Sequence, residues 1–132
     1  MNDICTKFIE LGLDYSENKK YDASIIYFKK CLIVCKSSFY RYFCLKQLID
    51  LYSIVKKFTE MTTTIDTIIN EYINLLSYTE IVAFIQKFNY YNDKLSLIKL
   101  KQKLIETQKE DYCWNIYYKD LMYKINQALK FM

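Results

Sequence analysis

No proline occurs in this chain of 132 residues, and glycine occurs once, at Gly12. These two residues supply the preset or positive φ angles on which tight turns and barrel corners depend, so a fold of many short strands is disfavoured. Helical periodicity, in contrast, runs nearly end to end. Ile25, Phe28, Leu32 and Cys35 fall at spacings of three and four, as do Leu45, Leu48, Tyr52 and Val55, then Met61, Ile65, Ile68 and Tyr72. Ile81, Phe84, Ile85 and Phe88 continue the pattern, followed by Leu97, Leu100 and Leu104, and by Trp114, Tyr117, Leu121, Ile125 and Leu129. Each set is one apolar face of a helix, and seven helices are expected.

Polar residues mark the breaks: Ser16 to Lys20, Ser37-Ser38 and Lys56-Lys57. Ser77-Tyr78-Thr79-Glu80 has the form of a capping box, with Ser77 accepting from the amide three residues on and Glu80 reaching back. Asn92-Asp93 and Asp111 are expected caps of the last two helices. Connections of two to five residues make consecutive helices antiparallel neighbours. The expected fold class is therefore all-α, with about seven helices stacked as hairpins.

The chain is 52% hydrophobic and 26% charged, enough apolar material for a core and unlike a disordered segment. Its length suits one domain over residues 1–132. The net charge of +4 is carried by lysine, with Arg41 the only arginine. Lysines interspersed with acids are a weak signal for nucleic acid, whose phosphates and base edges favour the bidentate arginine fork. Five cysteines, at positions 5, 31, 35, 44 and 113, form no CxxC pair and no secretory leader precedes them. They read as buried free thiols of a reducing compartment, which places the chain in the cytoplasm or nucleus. No apolar run reaches bilayer length, so no membrane association is expected.

Histidine is absent, which removes the commonest general base and zinc ligand. One glycine cannot make a phosphate-cradling loop. Cys31 and Cys35 lie one turn apart, but share an apolar face with Phe28 and Leu32, so packing is the better reading of them than metal or redox chemistry. No catalytic residue, metal or cofactor is expected, and the chain is read as a non-enzyme. The fourteen tyrosines read as core and rim residues with an apolar body and a wet hydroxyl. Lys94, Lys99, Lys101 and Lys103 read as a solvated face rather than a strip for an acidic partner.

Residues 5–38 carry Phe8, Leu11, Gly12, Tyr15, Tyr21, Ser24, Phe28, Cys31 and Leu32 at offsets that resemble a tetratricopeptide repeat. Each offset has a mechanical reason. Gly12 permits close approach of two helices, Ser24 and Cys31 leave room for a neighbour, and the aromatics fill the space between. Shifted by 37 residues, Leu48, Tyr52, Phe58, Met61 and Ile65 make a degenerate second repeat over about 42–76, with Ile49 in place of the glycine. Residues 78–130 are expected to be repeat-like helices in which the pattern fades. The resemblance implies a right-handed α-solenoid with an uncovered groove lined by the first helix of each pair. That groove would expose Thr6, Glu10, Leu13 and Glu17, then Phe43, Lys46, Gln47, Asp50 and Ser53, as protein-binding residues. Repeats that clamp acidic chaperone tails carry Lys and Asn where this chain has Ile9 and Leu13, so no carboxylate clamp is expected.

The stretch from Phe43 to Leu51, followed by Lys57-Phe58-Thr59-Glu60-Met61, resembles the Leu-Lys-Gln helix and the Phe-x-Glu-Met turn of the second signalosome subunit. Related helices occur in the PCI-type subunits of the proteasome lid. The resemblance runs from about Asp22 to Lys124, with gaps after Tyr72, and resumes at Trp114 and Leu121. It implies a scaffold arm in the ubiquitin pathway, with cullin–RING or proteasome components as partners. The winged-helix module of such subunits has no room in 132 residues, so the chain is expected to be a reduced arm, an excised piece, or a free-standing tetratricopeptide adaptor whose likeness to those subunits is only structural. Apolar Phe131-Met132 adds an expectation of association with itself or with other subunits.

Overall fold

The computed structural model describes residues 3–107 and 112–132. Among the described residues seven α-helices form: α1 (Asp3–Glu17), α2 (Tyr21–Val34), α3 (Ser38–Ile54), α4 (Phe58–Tyr72), α5 (Tyr78–Tyr90), α6 (Lys94–Glu106) and α7 (Tyr112–Lys130). A 3-10 turn, Ile73–Leu75, follows α4. No strand occurs among the described residues, so the chain is all-α. The contacts cluster into two compact units, Met1–Ile68 and Ile69–Met132, the division falling inside α4.

The connections show how a chain without proline, and with no glycine at its turns, ends its helices. The α1–α2, α3–α4 and α5–α6 links are each three residues long. In each, one residue turns left-handed: Lys19 at φ 60°, Lys56 at φ 62° and Asn92 at φ 58°. The amide after it reaches back five residues, from Lys20 to the Tyr15 carbonyl, from Lys57 to Tyr52 and from Asp93 to Phe88, each at 2.8 Å. This is the Schellman closure, which satisfies carbonyls that a helix end would otherwise leave free. The left-handed position usually goes to glycine, and a side chain there costs about 1–2 kcal/mol. The three turns are spaced 37 and then 36 residues apart.

Burial follows the same interval. Positions 12, 49 and 85, positions 24, 61 and 97, and positions 31, 68 and 104 are all buried. The spacing of turns and buried positions therefore continues past residue 77, where residue identities alone show a fading pattern. Leu97 stands where Ser24 does, and Leu104 where Cys31 does, so position is preserved while residue type is not.

In the first unit, α2 packs on both α1 and α3. Cys5 meets Cys31 and Cys35, while Gly12 meets Ser24 and Phe28, so α2 runs back along α1. The core includes Phe28, Leu48, Met61 and Ile65, all fully buried; side chains of this size contribute about 1.5–3 kcal/mol each on burial. In the second unit, α5, α6 and α7 pack on one another in all three pairings. Their shared core includes Ile81, Phe88, Leu97, Leu100, Leu104, Leu121 and Ile125. Tyr117, expected on the apolar face of α7, is instead 45% exposed and lies against Tyr78 with ring centroids 4.9 Å apart.

The capping box forms as expected: Ser77 Oγ accepts from the Glu80 amide at 3.2 Å, and Glu80 Oε1 accepts from the Ser77 amide at 3.1 Å. Asp93 caps α6 through Oδ1, which accepts from the Ser96 amide at 3.1 Å. Ser37 occupies the N-cap of α3 without a side-chain capping bond. Asp111 lies outside the described residues.

Candidate interaction surface

The expected groove-lining residues depend on how α1, α2 and α3 are held. Gly12 faces α2, against Phe28 and Ser24. A Cβ there would stand 2.8 Å from Phe28 Cζ, closer than carbon atoms pack. Beside it, buried Ser24 donates its hydroxyl to the Gly12 carbonyl at 2.6 Å. Gly12 and Ser24 thus both lie in the contact between α1 and α2. Aromatics fill the rest of the seam: Tyr27 stacks on Tyr15 at 5.5 Å and tilts against Phe8 at 5.9 Å, with Lys30 Nζ 4.9 Å from the Tyr27 centroid.

The cysteines require a correction. Cys5 and Cys35 are joined in a disulfide, with 5.5 Å between their Cα atoms, so these two are not free thiols. The cause is the reversal of the chain between α1 and α2, which brings position 5 beside position 35; sequence spacing alone links Cys35 to Cys31. Cys31 and Cys44 are buried and free. The Cys44 thiol is pushed up by its hydrogen bond to Cys31 and by burial, which suppresses its thiolate. Cys113 is a side chain outside the described set.

Arg41 is spent within the chain. Its guanidinium donates to the Leu32 carbonyl near the end of α2, where a cation suits the helix dipole. Burial, helped by the nearby Glu60 carboxylate, raises the Tyr52 phenol above its usual range.

On this frame, Thr6, Glu10, Leu13 and Glu17 form one stripe along α1, and Phe43, Lys46, Gln47, Asp50 and Ser53 one stripe along α3. Glu10, Glu17 and Asp50 are exposed, and the other six are half-buried. Lys46 Nζ lies 4.8 Å from the Tyr42 ring centroid on its own helix. Ile9, assigned against a chaperone-tail clamp, is likewise half-buried beside this stripe.

The second unit holds features that residue spacing did not single out. Tyr78, at the start of α5, donates its hydroxyl to Asp120 Oδ2 of α7, and Lys124 Nζ stands 3.6 Å from the same oxygen. The hydrogen bond to Asp120, with burial and the two neighbouring groups Asp120 and Tyr117, raises the Tyr78 phenol above its usual value. Nothing in the sequence separated Tyr78 from the other tyrosines, because its partner is 42 residues away. Between α5 and α7 runs a shallow groove of about 450 Å³ lined by Val82, Ile85, Asn89, Tyr123 and Phe131.

Among the described residues no group of three or more His, Cys, Asp and Glu is placed to hold a metal ion. No helix among them is long and apolar enough to cross a membrane. Comparison of the chain with models of protein families, with curated proteins and with solved structures finds no match.

Proposed function

We propose that this chain is a non-catalytic protein–protein interaction scaffold whose helical hairpins stack in the manner of tetratricopeptide repeats, as a right-handed α-solenoid. One observation carries the reading: the same left-handed turn joins consecutive helices three times, at intervals of 37 and 36 residues, with positions at the same interval buried. Repeat units of this kind bury one face against neighbours and leave another for a macromolecule to occupy. The two stripes carry mixed charges, Glu10 and Glu17 on α1 and Lys46 and Asp50 on α3, which suits selective recognition of a protein surface. Binding of nucleic acid is the weaker reading, since the lone arginine is engaged with the Leu32 carbonyl.

The narrower reading, an arm of a proteasome-lid or signalosome-like assembly with cullin–RING or proteasome partners, rests on the Phe43–Met61 resemblance alone. Cys44, Leu45, Leu48, Ile49 and Leu51 of that stretch are buried, so their identities also answer to packing. The cytoplasmic or nuclear setting belongs to the same proposal, and the Cys5–Cys35 disulfide weighs against a strongly reducing one.

Affinity capture with the intact chain, followed by mass spectrometry, tests the reading. Specific partners should be recovered by the natural sequence and lost on charge reversal of exposed stripe residues, Glu10→Lys with Asp50→Lys. Lid, signalosome or cullin components among them would support the narrower form. Retention of the same partners by the reversed variant, or recovery of none by the natural sequence, would count against the scaffold.

A further inference from the structure

Helix α6 carries two apolar stripes where its own unit uses one. Leu97, Leu100 and Leu104 are fully buried against α5 and α7. On the other side Leu95 is 63% exposed, Ile98 45% and Ile105 39%. With Gln102, also exposed, these positions step by three, four and three residues. That is the a and d spacing of a two-heptad seam, the pattern by which one helix receives another. Leu95 to Ile105 spans ten residue steps, about 15 Å of helix.

The flanks of the seam say what kind of helix fits. Lys94 and Lys99 are exposed beside Leu95 and Ile98, in the positions that border such a seam, and Lys101 is half-buried in the next one. None of these lysines is ion-paired with a carboxylate among the described residues. Glu106, the one acid of the helix, accepts from the Gln102 amide group at 3.3 Å. We propose that the outer face of α6 is a docking seam for an acidic amphipathic helix of another protein, with apolar residues at heptad spacing and carboxylates beside them. The proposal rests on the reading of the chain as a protein-binding scaffold and names the partner chemistry at one of its faces.

A second copy of α6 is a poor occupant, because parallel pairing sets Lys94 of one copy opposite Lys99 of the other. An anionic lipid surface fits less well, because Gln102 interrupts the apolar stripe at its middle and only three side chains would enter the bilayer. The seam's bordering positions set partner choice and orientation through charge, and here that charge is positive.

The test uses the full chain and two fluorescein-labelled peptides of three heptads, about 21 residues. Both carry Leu at the apolar positions; one has Glu and the other Lys at the bordering positions. The acidic peptide should bind, with affinity falling as salt is raised, and the basic peptide should not. Ile98→Glu, a change at an exposed site, should weaken binding about tenfold or more. Lys94→Glu with Lys99→Glu should exchange the preference, so that the basic peptide binds. Retained folding of each variant is read by circular dichroism. Binding of neither peptide, equal binding of both, or binding indifferent to Ile98→Glu overturns the proposal. So does a variant whose only defect is in self-association or in adsorption to phosphatidylserine vesicles. If Ile98→Glu keeps every captured partner while Glu10→Lys with Asp50→Lys loses them, the α6 seam fails and the scaffold stands. If the natural sequence captures nothing, the scaffold itself fails.

Discussion

Gly12 and Phe28 set the separation of the first two helices by direct contact, and the consequence can be measured. Alanine at an exposed mid-helix glycine would stabilise by about 1 kcal/mol. Here the added methyl would stand 2.8 Å from a fully buried ring. We expect Gly12→Ala to destabilise the chain by about 1–3 kcal/mol in urea unfolding, with Phe28→Leu in the same chain recovering part of the loss. Tyr78 offers a pH test. Its phenol is raised above the usual value of about 10 first by its hydrogen bond to Asp120. The folded state therefore holds this proton to higher pH than the unfolded state does. The stability it contributes is fully present below the unfolded value and is lost as pH rises through the folded one. Urea unfolding followed from pH 9 to 11 should show a steeper decline for the natural chain than for Tyr78→Phe. Equal slopes would mean that the contact is not made in solution.

At the scale of elements, the helix ends carry most of the specification. Ser77 and Glu80 each satisfy a backbone amide of the α5 N-terminus, and Ser77→Ala should cost about 1 kcal/mol in thermal or urea unfolding. This end was legible because a capping box is local: both partners lie within four residues. The left-handed residues were not legible. Lysine at positions 19 and 56 has no preference for that backbone region, and adopts it where the chain closes one helix and enters the next. Lys56→Gly is accordingly expected to stabilise the chain modestly, up to about 1 kcal/mol, its relief of strain offset in part by the greater chain entropy of glycine when unfolded. A loss of stability would indicate that the lysine side chain makes a contact outweighing the strain. The Cys5–Cys35 bond was illegible for a related reason. Thirty residues separate the two sulfurs along the chain, and only the pairing of α1 with α2 brings them together.

At the scale of the whole molecule, the two contact clusters differ in what holds them. The first has a covalent tie between the start of α1 and the end of α2; the second relies on the mutual packing of α5, α6 and α7. Closing a loop of this size is worth about 3–4 kcal/mol to the folded state. Reduction, or Cys5→Ser with Cys35→Ser, should therefore lower hydrogen-exchange protection in α1 and α2 while α5 to α7 keep theirs. Equal loss in both would show that the units unfold as one. In the oxidised native chain, iodoacetamide should leave Cys5 and Cys35 unmodified and label Cys31 and Cys44 slowly, since both of these thiols are buried. Residue order by itself determined the helical class, the seven helices and most of their ends, and the role of Gly12. Each of these follows from interactions within a few residues or from the period of an apolar face. Tertiary structure alone decided which cysteines meet, that the turn spacing of 37 and 36 residues continues past residue 77, that Tyr78 finds Asp120, and that α6 leaves a second apolar stripe in water. Those outcomes depend on side chains brought together from distant parts of the chain, and on which of two apolar faces a neighbour happens to cover, neither of which a local pattern encodes.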